Sequence, residues 1–252
     1  AAVVLFYATS SAQQTQPSSQ PSPRPGQRVE RLGDEIMVCG QLFHTGGAPV
    51  ILWTDPGGYD SYRVERRFSP YDVSGWEATR KARPTLKLPN RFNLRESLLT
   101  PDRIEQVRGG GWDLKLLQET VDQFVIHYDA CGVSKVCFDV LHDHRGLSVH
   151  FMLDLDGAIY QCLDLKERAW HATTSNSRSV GIEIAYIGAY SNPAHERFTQ
   201  WYAKDNDGRL RLTIPERIGD GGIRTAGFVG RPVRDELISG VVQGRARHQY
   251  DF

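Results

Sequence analysis

Between residues 124 and 187, four short apolar runs are separated by turn and helix signals. Phe124-Val125-Ile126 is wholly apolar, the mark of a buried central strand ending at His127. Val136, Phe138, Val140 and Leu141 recur at near-helical spacing, so a short helix is expected over 136–142. Val149–Leu155 and Ala158–Leu163 read as two strands joined by a turn at Asp156-Gly157, and Val180–Ile187 as another. Strands interrupted by helical pieces predict an α/β or α+β fold, a central mixed β-sheet flanked by helices.

Outside this stretch the signals are looser. Glu35–Phe43 and Val50–Trp53 read as a β-hairpin across the turn-rich loop 44–49. Thr100-Pro101-Asp102 reads as a helix start, and the glycines 109–111 as a stop. Residues 59–120 hold scattered aromatics and prolines. Tyr59, Tyr62, Trp76 and Phe92 either line an extended cleft or form satellite core. Asn206-Asp207-Gly208 reads as a hairpin turn within a Gly-, Arg- and Pro-rich stretch over 191–245, which has the character of an insertion or lid. The expected division is a leader and linker over 1–27, an N-terminal extension over 28–115, and a main domain over 116–252.

With 252 residues the chain can bury a core without disulfides. Thirty basic residues balance thirty acidic ones, leaving no cationic excess for nucleic acid. No apolar run is long enough to span a membrane. Ala1–Ala8 is apolar and is followed by small residues, Thr9-Ser10-Ser11-Ala12. This reads as the tail of a secretory signal peptide whose basic start is absent, with the Gln/Ser/Pro-rich segment 13–27 as a spacer. A secreted, periplasmic or extracellular protein, monomeric, is expected.

Three side chains carry the chemical signal. His127 ends an apolar strand, His171 lies in Arg168-Ala169-Trp170-His171-Ala172, and Glu183 interrupts the apolar run Val180-Gly181-Ile182-Glu183-Ile184. A carboxylate inside an apolar strand has to be paired, metal-linked or shifted in pKa. Two histidines and such an acid are the raw material of a zinc hydrolase.

The phrases around these residues come in one order. They are Phe124-Val125-Ile126-His127, then Leu147-Ser148-Val149-His150-Phe151 with Asp156-Gly157-Ala158-Ile159-Tyr160, then Ala169-Trp170-His171-Ala172, then Asn176-Ser177-Arg178-Ser179-Val180-Gly181-Ile182-Glu183-Ile184. Over about residues 120–190 the chain resembles the type 2 N-acetylmuramoyl-L-alanine amidases, the family that includes the peptidoglycan recognition proteins. The resemblance implies zinc-dependent hydrolysis of the amide between N-acetylmuramic acid and L-alanine, with peptidoglycan or muropeptide as substrate. It implies His127 as a zinc ligand, Glu183 as general base, and His171, Trp170 and Asn176 as substrate-binding residues. His150 is implied as structural or cleft-lining. Val149 stands where some relatives have Tyr. The resemblance also implies a disulfide between Cys131 and Cys137, while Cys39 and Cys162 carry no pairing signal.

The family's second and third zinc ligands lie in a Gly-His-x-Asp element and a following Lys-x-Asp-Pro-Gly or Cys element. Neither occurs between Glu183 and Phe252. His195 and His248 do not stand in a matching context, so the remaining ligands are expected beyond Phe252. Two other readings stand beside this one. A non-catalytic muropeptide-binding module would need no zinc but has no use for Glu183. A local zinc site of Cys131, Cys137, His142 and His144 has poor ligand spacing.

Overall fold

The computed structural model describes residues 4–5, 30–108, 110–190, 192, 194–232, 241–243 and 249–251. In chain order the strands are β1 (Val4–Leu5), β2 (Glu35–Val38), β3 (Gln41–His44), β4 (Val50–Leu52), β5 (Phe92–Asn93), β6 (Gln123–Tyr128), β7 (Phe151–Leu153), β8 (Ile159–Gln161), β9 (Arg168–Ala169), β10 (Ser179–Ile184), β11 (Tyr202–Lys204), β12 (Leu210–Leu212), β13 (Val241–Gln243) and β14 (Gln249–Asp251). The α-helices are α1 (Tyr71–Ser74), α2 (Trp76–Ala82), α3 (Pro101–Arg108), α4 (Leu114–Thr120), α5 (Ser134–Phe138) and α6 (Glu196–Trp201).

The central sheet runs β1-β6-β10-β7-β8-β4. It is mixed, as expected: β6, β10 and β7 are parallel, β8 returns antiparallel to β7, and β4 lies parallel to β8. The Asp156-Gly157 turn joins β7 to β8; Gly157 has φ 84°, which that turn needs and a side chain would resist.

Several local expectations are corrected. The N-terminal hairpin closes at Cys39-Gly40, pairing β2 with β3. Val50–Leu52 is not its second arm but the edge strand of the central sheet. Within the run 124–126 only Val125 is fully buried, and Phe124 is 43% exposed. Alternate side chains of a strand point to opposite faces, and here one face is covered. The helix expected over 136–142 starts earlier, at Ser134, and passes into a wider π-turn over Asp139–Arg145, ended by Gly146 at φ 66°. Asp154 Oδ1 accepts the Ser134 and Leu155 N–H groups, so the neighbouring strand end holds the start of α5.

Three apolar clusters hold these layers together. Tyr59, Phe138, Leu141, Met152 and Tyr160 pack between α5 and the sheet. Tyr59 stacks on both Phe138 and Tyr160, while Tyr62 contacts Trp53 and Phe92. Tyr59 thus belongs to the core itself, and Tyr62 and Phe92 pack together as satellite core. Val38, Val107, Trp112, Leu116 and Leu117 form the second cluster, under α3 and α4. Asp113 caps α4 by accepting the Leu116 N–H at 2.8 Å.

The third cluster joins Val133 and Ile187 to Phe198 and Trp201. The segment 194–232 therefore anchors in the body of the protein and does not merely lie over it. Trp201 is wholly buried, and a Cβ at Gly132 would sit 2.3 Å from its ring. The Asn206-Asp207-Gly208 turn joins β11 to β12 as expected.

Candidate active site

Residues 127 and 183 are direct partners in the parallel pairing of β6 with β10. Paired positions of adjacent strands present their side chains to the same face. His127 and Glu183 thus stand side by side toward the C-terminal ends of two parallel strands, where open α/β sheets commonly place ligands. They line one cavity of about 360 Å³, together with Asp129, Cys137, Leu141 and His171.

His171 enters this cavity from the loop after β9. Its Nδ1 lies 3.1 Å from His127 Nε2, and its Nε2 lies 3.2 Å from Ser179 Oγ. The imidazole lies against Gly181, where a Cβ would fall 2.4 Å from the ring. The glycine of Val180-Gly181-Ile182-Glu183 is the space into which His171 fits.

Asn176 holds the same loop from behind. Its Oδ1 accepts the backbone N–H groups of His171 and Ala172. Trp170 donates its indole N–H to Asn93 Oδ1 at 2.8 Å. Neither Trp170 nor Asn176 lines the cavity; both shape the loop that presents His171. His150 is fully buried and structural. Its Nδ1 accepts the Gly181 N–H, so Nε2 carries the proton and donates to the Glu167 carbonyl.

The electrostatics follow from burial. Desolvation, with the Asp129 charge adding to it and Arg145 opposing it, raises the Glu183 pKa to about 8. Burial, then the neighbouring His127, lowers that of His171 to about 3, so its ring is neutral at any working pH. His127 is likewise held below the usual histidine value by burial. Asp129 is raised to about 6, again by burial, against three backbone donors. Its Oδ1 accepts from Cys131, Gly132 and Tyr186, tying the loop after β6 to the end of β10.

Asp129 and Arg95 escaped the sequence reading. The local signal for Asp129 was a carboxylate two residues beyond His127, at the end of the same strand. Arg95 gave none. It comes from the N-terminal extension and is wholly buried. Its guanidinium donates to the carbonyls of Asn176, Ser177, Leu165 and Ser179, bracketing the His171 loop.

Other candidate ligands do not converge. His142 is bonded to Asp143 and to the Arg63 carbonyl, and His144 to Arg83 and Asp139. The structure therefore does not assemble Cys131, Cys137, His142 and His144 as a metal site. His195 caps α6 and stacks on Tyr190. His248 lies outside the described residues. Cys131 and Cys137 are free thiols in contact through a hydrogen bond, so the disulfide implied by the resemblance is not formed here; Cys39 and Cys162 are free as well.

A catalytic zinc site uses three protein ligands. Among the described residues, the group of three or more candidate ligand atoms within 4.8 Å of one another is Asp34, Glu35 and His44, on the N-terminal hairpin. The cavity does not gather a complete zinc set. What it offers is a buried carboxyl, two imidazoles and open space beside them.

No helix among the described residues is long and apolar enough to cross a membrane. No curated protein and no solved structure matches the chain. A family model does match, and it supports a peptidoglycan amidase-type function. Residues 117–212, the stretch that carries His127, His171 and Glu183, match the model described as N-acetylmuramoyl-L-alanine amidase.

Proposed function

We propose that the protein hydrolyses the amide bond between the lactyl group of N-acetylmuramic acid and L-alanine in peptidoglycan, with Glu183 as general base. The observation that carries this reading is Glu183 itself, a buried carboxyl paired in register with His127 and open to a shared cavity. A pKa near neutrality suits a group that accepts a proton from water and returns it to the leaving amine. To His171, held against Gly181, we assign donation to the oxyanion that forms on the attacked carbonyl, with its ring N–H turned from its present partner to the substrate, an effect typically worth about 3 kcal/mol. Trp170 and Asn176 support substrate binding through the loop they shape.

Zinc is the cofactor we propose, with His127 as one ligand. Bound there, it would polarise the amide carbonyl and acidify a water. The described residues do not complete its ligand set, and the steps above belong to the chain's own side chains. We assign residues 116–252 to the amidase unit, with 191–245 inserted in it, 28–115 to an N-terminal extension and 1–27 to a leader and linker. A monomer secreted to the cell-wall side fits this substrate. In such an oxidising compartment, the adjacent Cys131 and Cys137 would close to a disulfide.

The test is incubation of the zinc-supplemented protein with an N-acetylmuramoyl-L-alanyl peptide, followed by mass spectrometry. Release of a peptide with a free L-alanine amine, together with N-acetylmuramic acid, is expected. Binding without release would instead assign a muropeptide-binding module. Failure to bind would overturn both readings.

A further inference from the structure

The loop that carries His171 is held on both sides by one short segment of the N-terminal extension, residues 91–97. β5 pairs antiparallel with β9, and among the described residues it is the one ladder partner of β9. Upstream of His171, Asn93 Oδ1 accepts from the Trp170 indole N–H at 2.8 Å and from Arg168 Nη1 at 3.1 Å. The Trp170 backbone N–H donates to Ser148 Oγ, which in turn donates to the Arg91 carbonyl. Downstream, Arg95 donates to the carbonyls of Asn176, Ser177 and Ser179, and Ser97 Oγ donates to Ser177 Oγ at 2.6 Å. Arg168 joins the two sides, because its Nε donates to the same Ser177 hydroxyl at 2.9 Å.

Asn93, Arg95 and Ser97, at alternate positions, thus all bond to residues that flank His171. The imidazole itself bonds to none of them; its partners are His127 and Ser179. The segment also lies upstream of the matched stretch 117–212, so that stretch does not hold its own His171 loop unaided. The three side chains differ in setting. Arg95 is wholly buried, and its loss disturbs the fold around it. Asn93 and Ser97 are exposed, where side chains contribute little to stability. Exposed hydrogen bonds that reach only the loop of a cavity residue point to a role in placing that residue.

We propose that residues 91–97 form a strap that positions His171 for the reaction, with Asn93 as a positioning residue. The proposal rests on the amidase reading above and extends the machinery of that reaction to the N-terminal extension. Both partners of Asn93 Oδ1 can only donate, so the position needs an acceptor. Donation by His171 to an oxyanion acts in the transition state alone, so a loosened strap lowers kcat and leaves KM in place.

The test compares Asn93→Ala with Asn93→Asp in the full chain. Its readouts are steady-state hydrolysis of the N-acetylmuramoyl-L-alanyl peptide with zinc, and nitrogen-15 NMR of the His171 ring, assigned by its loss in His171→Gln. Asn93→Ala should lower kcat about tenfold, part of the hundredfold that a misplacement of about 1 Å can cost, with KM within about twofold of wild type. Its His171 ring resonances should shift or broaden, and its thermal midpoint should stay near that of the wild type. Asn93→Asp keeps the acceptor and should restore both kcat and the resonances. Ser97→Ala removes only the Ser177 bond and should show a smaller change in the same direction. Wild-type kcat and ring resonances in Asn93→Ala would overturn the strap and leave the amidase reading standing. So would an Asn93→Asp variant as impaired as Asn93→Ala, or a loss of kcat that tracks a fall in thermal midpoint. If the wild-type protein does not hydrolyse the peptide, the amidase reading falls. The ring resonances then decide the strap by themselves, and unchanged resonances in Asn93→Ala overturn it.

Discussion

The hairpin cluster of Asp34, Glu35 and His44 and the cavity cluster of His127, His171 and Glu183 use the same residue types and titrate in opposite directions. On the hairpin, the His44 hydrogen bond lowers the Asp34 pKa, and Asp34 in turn raises that of His44. Burial alone would raise Glu35, but the Leu32 and Gly33 N–H groups and Arg31 outweigh it, and its pKa is lowered. In the cavity the balance reverses: Glu183 rises to about 8 and His171 drops to about 3. The difference lies in partners. The hairpin satisfies its carboxylates with its own N–H groups and with His44 and Arg31, whereas among the described residues no donor meets the Glu183 carboxylate. Proximity of acids and histidines makes a cluster; unmet polar capacity makes a site.

The largest way to break this contrast is Glu183→Gln. It keeps the shape but removes the base, and amide hydrolysis should fall about a thousandfold with probe binding retained. Steady-state rates beside calorimetric affinities check this; comparable loss of both would point to a structural role. Next is Arg95→Met, which leaves four carbonyls around the His171 loop without their donor. A loss of about 3 kcal/mol in denaturant unfolding is expected, and an unchanged midpoint would remove Arg95 from the support of the site. Gly181→Ala forces a methyl into the His171 ring, and should cost about 1–3 kcal/mol and displace the imidazole. A full rate in that variant would mean that the ring position does not matter to the reaction.

The smallest effects are in pH dependence, and there the two clusters should diverge. A carboxyl whose folded pKa is raised makes the folded state bind the extra proton. The Glu183 contribution to stability is therefore full below about 4.5 and declines as pH rises to about 8. His171 acts from the other side: its unfolded ring takes a proton that the buried ring refuses, so stability falls as pH drops from about 6.5 toward about 3. Asp34 and Glu35, both lowered, stabilise above their unfolded values near 4 and lose that contribution in acid. Thermal melts across pH should show a shallower decline between about pH 4.5 and 8 for Glu183→Gln, and for Asp34→Asn a loss of stability that appears only above about pH 4. An identical profile for Glu183→Gln and wild type would mean that the raised carboxyl is absent.

Much of the fold could be read along the chain. The β7–β8 turn, the β11–β12 turn, the helix after His127 and the strand bearing Glu183 all follow from periodicity and turn residues within a few positions. The errors came where pairing is distant. Val50–Leu52 has an apolar pattern that suits a hairpin arm as well as an edge strand, and only Ile159–Gln161, more than a hundred residues on, decides between them. The candidate site divides in the same way. His127, His171 and Glu183 stand in local phrases that can be recognised, and Gly181 marks the space for an imidazole only once the ring is seen above it.

By itself the sequence determined the short strands, their turns, the ordered motifs and the presence of an acid in an apolar strand, because each depends on residues close together in the chain. Tertiary structure alone decided that Glu183 stands beside His127 and that Arg95 from the extension grips the His171 loop. Those relations join segments tens of residues apart. They depend on which strand pairs with which and on what each side chain finds across the gap, neither of which leaves a mark in local sequence.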